Sequence, residues 1–182
     1  MVRAKKTLKL IWPYAGLPVL GFSLFLIHAE RTAPFDVLLY MLIIIFGYIA
    51  AILDIMTRRI PNSIVASMLA AWVMIITPWL FTDTGAAVKL ITDSALGFLL
   101  GGGLFLLVYL ISRKGLGGGD VKFMATAGLY LGLEGAMAAM LVGTILAALT
   151  GSILILLKKI GRKDAIPLAP FLYAGMLVVC LR

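Results

Sequence analysis

Charged side chains make up only 13% of this sequence, against roughly 25% in a soluble globular domain. With so little charge to meet water, 63% hydrophobic residues and a mean hydropathy of +1.11, the chain reads as a membrane protein. Cysteine is scarcer still. The single one, Cys180, excludes an internal disulfide and a zinc cluster of several thiolates. The one histidine, His28, leaves little imidazole for a base or a metal, and clustered carboxylates to replace it are lacking too. No metal and no cofactor are expected. Low-complexity tracts and internal repeats are absent. One helical bundle uses up 182 residues and leaves little room for a soluble domain. The net charge of +8 does not mark a nucleic-acid partner, because the basic residues come in small groups between apolar runs.

Those runs are what the chain has in abundance. Seven apolar segments cover residues 10–29, 35–54, 63–81, 90–112, 121–133, 136–157 and 167–181. A spanning helix needs about 20 residues, which the first four and the sixth meet; the fifth and seventh are short. Lipid offers no partner for backbone N–H and C=O groups, so continuous apolar runs imply helices, and a barrel would need alternation instead. The expected architecture is an all-α, polytopic membrane bundle of six to seven transmembrane segments. Residues 1–34 form an N-terminal anchor helix and outer loop, and residues 35–182 the membrane-embedded core. Arg3, Lys5, Lys6 and Lys9 ahead of an apolar run also describe a signal peptide, but no small-x-small cleavage site follows, which favours a retained helix.

Loop charge orients the bundle. With the N-terminus inside, the inner loops collect Arg3, Lys5, Lys6, Lys9, Arg58, Arg59, Arg113, Lys114, Lys122, Lys158, Lys159, Arg162 and Lys163. Only Arg31, Lys89 and Arg182 remain outside. The inner groups suit anionic inner-leaflet lipids, and Arg58, Arg59, Arg113 and Lys114 read first as anchors to them.

This topology sorts the acids. Asp36 lies about 27 Å along a helix from Asp54, at about 1.5 Å per residue, and therefore at the opposite face. Asp83 and Asp93 are excluded likewise, and Asp164 sits in a run of lysine and arginine. Asp54 and Asp120 remain, both at the cytoplasmic face. Asp120 closes the stretch Gly115-Leu116-Gly117-Gly118-Gly119-Asp120, where glycines let the backbone approach other groups closely. Two carboxylates brought together hold one proton between them, because both cannot ionise easily. The ionised member can take a proton from water while the protonated one polarises a carbonyl, which is aspartyl hydrolysis. Helix dipoles suggest the division of labour: Asp120 near a helix N-terminus as the base, Asp54 toward a helix C-terminus as the acid.

The residues around this pair carry a resemblance. Gly117-Gly118-Gly119-Asp120 resembles the G-x-G-D motif of membrane aspartyl proteases, with Val121-Lys122 in the manner of prepilin peptidases. Asp54, followed by Arg58 and Arg59-Ile60-Pro61-Asn62, is similar to that family's first motif, and Ile166-Pro167-Leu168-Ala169-Pro170-Phe171 to its third. The chain is thereby identified as a type IV prepilin peptidase, a leader peptidase. That resemblance implies a membrane aspartic endopeptidase with Asp54 and Asp120 as catalytic pair, supported by Gly117, Gly119, Lys122, Arg58, Arg59, Pro61, Asn62, Pro167 and Pro170. It also implies a prepilin-like protein substrate whose short basic leader is removed at the cytoplasmic face of the cell membrane.

Met56 departs from the pattern, standing where relatives often carry a polar residue. The cysteine-bearing insert that larger relatives link to N-methylation is missing. Two rival classes are a presenilin-like intramembrane protease, which shares only the Gly117–Asp120 stretch, and a proton-coupled transporter, which would want acids near mid-membrane. Small residues at four-residue spacing, Ala139, Gly143, Ala147 and Gly151 with Gly97 and Gly101, predict close helix packing within the bundle or between copies in a homo-oligomer.

Overall fold

The computed structural model describes residues 34–112, 116–161 and 166–181. The expected anchor segment, His28, Arg113, Lys114 and Asp164 lie outside them. Five helices make up the described residues, and no strand occurs among them: α1 Pro34–Thr57, α2 Asn62–Thr82, α3 Thr84–Ile111, α4 Gly118–Leu156 and α5 Ala169–Cys180. The first four are long and apolar enough to cross a membrane.

Two boundaries differ from the sequence expectation. α3 begins at Thr84 rather than near residue 90. Asp83 caps it, its Oδ1 accepting the Ala86 N–H at 3.0 Å, so a polar first turn that hydropathy leaves out belongs to the helix. The fifth and sixth apolar segments, expected as separate helices, join in α4, which breaks at Gly132 (φ 67°, ψ −174°). Only glycine adopts that backbone region without strain.

The break is a reversal. Residues 118–131 run antiparallel to α3: Gly97 packs on the carbonyls of Gly128 and Gly132, and a Cβ at Gly101 would stand 2.7 Å from the Met124 oxygen. Residues 133–156 run antiparallel to α5, with Gly175 on the Ala139 carbonyl, Gly143 against Leu172 and Gly151 against Ile166. The small-residue stripes thus serve contacts inside the bundle. Ending a helix at Leu131 frees its last carbonyls. That of Leu129 accepts from Trp72 Nε1 at 3.0 Å and Ser94 Oγ at 2.6 Å. The restarting arm gives its Leu133 N–H to Asp93 Oδ1 at 3.2 Å.

α1 lies antiparallel to α5, with Gly47 against Tyr173 and Met176. The core between them and α4 holds Ile43, Met124, Leu172 and Met176 among its buried residues. One end of the bundle therefore collects the C-termini of α1 and α3 and the N-termini of α2, α4 and α5. Asp36, Asp83 and Asp93 belong to the other end.

Candidate active site

α1 stops one turn past Asp54. Arg58 takes the left-handed conformation (φ 54°), its N–H closing on the Asp54 carbonyl at 2.8 Å, while Thr57 Oγ1 donates to the Leu53 carbonyl at 2.8 Å. Pro61 then stands at the N-cap of α2 with φ −65°. Its fixed φ suits a helix start.

Asp54 is only 6% exposed. Its Oδ2 accepts the Ala169 N–H at 3.0 Å, a buried bond between residues 115 positions apart. The Leu168 N–H acts on the same carboxylate. These donors exist because α5 starts there, and the first N–H groups of a helix have no partner within it. Pro167 and Pro170 flank them without N–H groups of their own. The Ile166–Phe171 stretch thus places a helix N-terminus on the carboxylate of Asp54. This corrects the dipole premise: Asp54 does not face the negative end of α1 alone but the positive end of α5.

Asp120 is the third residue of α4. Its Oδ2 accepts the Gly117 N–H at 3.2 Å, half of a capping box, since glycine has no side chain to return the bond. Its Oδ1 is buried and has no hydrogen-bond partner among the described residues. The loop after α1 rests on this turn. Ile60 is buried, and a Cβ on Gly119 would stand 3.2 Å from the Ile60 carbonyl oxygen, so glycine is what permits the approach. Lys122 Nζ donates to Asn62 Oδ1 at 3.1 Å. That bond ties the start of α4 to the start of α2.

The two carboxylates share a cavity of about 380 Å³, lined also by Arg58, Arg59, Ile60, Asn62 and Gly117–Gly119, and they interact electrostatically. Arg58 adds a positive field at Asp54. Arg58 and Arg59, read first as lipid anchors, therefore border the site itself. Next to it, an apolar cavity of about 430 Å³ takes in Ile55, Pro167, Pro170, Phe171 and the paired rings of Tyr48 and Tyr173, 6.0 Å apart. Among the described residues no group of three or more His, Cys, Asp or Glu side chains could hold a metal ion. The sequence reading missed Leu168 and Ala169, which act through their backbone; the two bracketing prolines were the available signal.

The type IV leader peptidase family matches residues 41–156. A prepilin leader peptidase/N-methyltransferase of Bacillus subtilis (strain 168) is 34% identical over 139 residues, 73% of this chain and 51% of the relative. A protein of the same name from Xanthomonas campestris pv. campestris is 36% identical over 70 residues, 38% of this chain and 24% of its own. The chain thus spans about half the length of the Bacillus relative and a quarter of the other. No solved structure matches it. A match over well more than half of the chain places it in the type IV leader peptidase family. With four helices able to cross a bilayer, it is a multi-pass member.

Proposed function

We propose that this chain is a membrane aspartic endopeptidase that removes the short basic leader of prepilin-like precursors at the cytoplasmic membrane face. The observation that carries the reading is the meeting of Asp54 and Asp120, from separate helices, in one cavity beside a basic loop. The names of the relatives point to the same substrate class. Two neighbouring carboxylates share one proton, and such a pair can activate water and polarise the scissile carbonyl together. Arg58 and Arg59 serve both membrane and site in this reading. N-methylation is not proposed for these residues, whose single cysteine, Cys180, is buried.

The test is cleavage by the purified protein in lipid vesicles. A prepilin-like precursor is expected to lose its leader, and a helical membrane substrate without a basic leader to stay intact. Cleavage of the helical substrate alone would favour the presenilin-like class, and cleavage of neither would overturn the peptidase reading.

We further infer six crossings among the described residues: α1, α2, α3, the two arms of α4, and α5, with the site end cytoplasmic. The basic residues Arg58, Arg59, Lys122, Lys158 and Lys159 belong to that end, and Lys89 to the other. Cysteines introduced at Thr57 and Gly161 are expected to react with an impermeant thiol reagent only from the cytoplasmic side, and one at Thr84 only from outside. External labelling of Thr57→Cys would reverse the orientation.

A further inference from the structure

The donors around the two carboxylates are unequal. Burial works against ionising Asp54 as it does Asp120, but Asp54 accepts from the start of α5 through a buried bond to Ala169, and the Leu168 N–H and the Arg58 charge also favour its ionised form. Asp120 has one backbone donor, Gly117, in an exposed and longer bond. A hydrogen bond to a carboxylate is stronger where water and its dielectric are excluded. The remaining oxygen of Asp120, Oδ1, is buried with no partner among the described residues. As an ionised oxygen it would carry an uncompensated desolvation cost. Carrying a proton, it becomes a donor toward its neighbour across the cavity.

We infer that the start of α5 divides the labour of the pair: the Ala169 and Leu168 N–H groups hold Asp54 ionised as the base toward water, and the shared proton resides on Oδ1 of Asp120. The inference rests on the aspartyl peptidase reading above and reverses the assignment that helix ends along the sequence suggest. Asp54 takes a proton from water as the water oxygen bonds to the scissile carbonyl carbon. The Asp120 proton passes to the carbonyl oxygen, giving a neutral tetrahedral diol. On collapse the C–N bond breaks, the proton held by Asp54 goes to the leaving nitrogen, and a diol hydroxyl returns its proton to Asp120. One water is consumed and both carboxyl groups are restored.

Among the described residues, the charged and titratable groups around Asp54 are few. α1 and its loop bring Arg58 and Arg59; α4 brings Asp120, with Lys122 engaged to Asn62 of α2. α5 brings Tyr173, which lines the neighbouring apolar cavity with Tyr48 of α1. Ala169 is thus a positioning residue that acts through its backbone.

The experiment exchanges Ala169 for its α-hydroxy analogue, which turns the N–H into an ester oxygen and keeps the side chain. Leader cleavage is then followed as kcat/KM against pH. Losing a donor to the ionised form raises the apparent value of that group. If Asp54 is the base, activity requires it ionised, so the acid limb moves to higher pH, by about one to two units, and the alkaline limb stays. An unmoved acid limb, or an alkaline limb that moves up instead, overturns the assignment. The same exchange at Gly117 decides it independently. There the alkaline limb is expected to move up, because Asp120 must stay protonated, and a shifted acid limb would overturn it. A wild-type protein that cuts no precursor overturns the peptidase reading and this assignment with it; normal cutting with the wrong limb displaced overturns the assignment alone.

Discussion

Asp54→Asn and Asp120→Asn are each expected to lower kcat for leader cleavage by at least about 10²–10⁴-fold, the usual contribution of a positioned acid or base. Asparagine keeps the shape of both sites. At position 54 its amide oxygen can still accept the Ala169 N–H, so thermal unfolding in detergent should change little. Loss of rate with an intact fold separates chemistry from structure. The double variant is expected to be hardly worse than either single one, since residues that act as a unit are not additive. Asp36→Asn should cleave normally, because Asp36 stands in the first turn of α1, at the far end of the bundle. Substantial cleavage by either single site variant would overturn the dyad.

Gly128→Ala and Gly97→Ala should give the largest structural effects. A Cβ at Gly128 falls on the Gly97 carbonyl and within 2.8 Å of the Phe98 nitrogen, and one at Gly97 falls on the Gly128 carbonyl. The obstacles are backbone atoms inside helices, which no rotamer change can move. α3 and the first arm of α4 must separate, at a cost of about 1–3 kcal/mol or more for overpacking. Alanine gains up to about 1 kcal/mol over glycine in a helix, which offsets only part of that cost, so both variants should be less stable than the wild type. Gly103→Ala is the control. A Cβ there meets nothing within 4 Å, and the helix gain should stand alone as neutral or slightly raised stability. Both sets can be read in one unfolding series. Because the first arm of α4 begins at the Asp120 turn, Gly128→Ala should also reduce cleavage, whereas Gly103→Ala should not.

Much of the site was legible in the chain. Asp54 and Asp120 could be selected because topology had already removed Asp36, Asp83 and Asp93, and the motifs around them told which loops to bring together. The errors share one cause. Asp54 was read as lying at a negative helix end, and the Leu168 and Ala169 donors went unread. Each was judged from its own neighbours along the chain, while the deciding contact came from another element. Arg58 and Arg59 were assigned to lipid for the same reason. Charge counting places a residue at a membrane face without saying which cavity it borders.

By itself the sequence determined the class and the helical nature of the segments, and it offered the candidate pair of acids. Those follow from composition, from run length against bilayer thickness, and from chemistry carried by side chains. Only the tertiary structure decided what holds the pair. The glycine at 132 turns one apolar stretch into two opposed arms, and that fold brings residues 118–120 and residues 166–169 to the same end of the bundle. There the Ala169 N–H meets a carboxylate 115 residues away. Backbone donors leave no mark in residue identity, and their partners are chosen by packing, so this part of the site came into being only when the helices met.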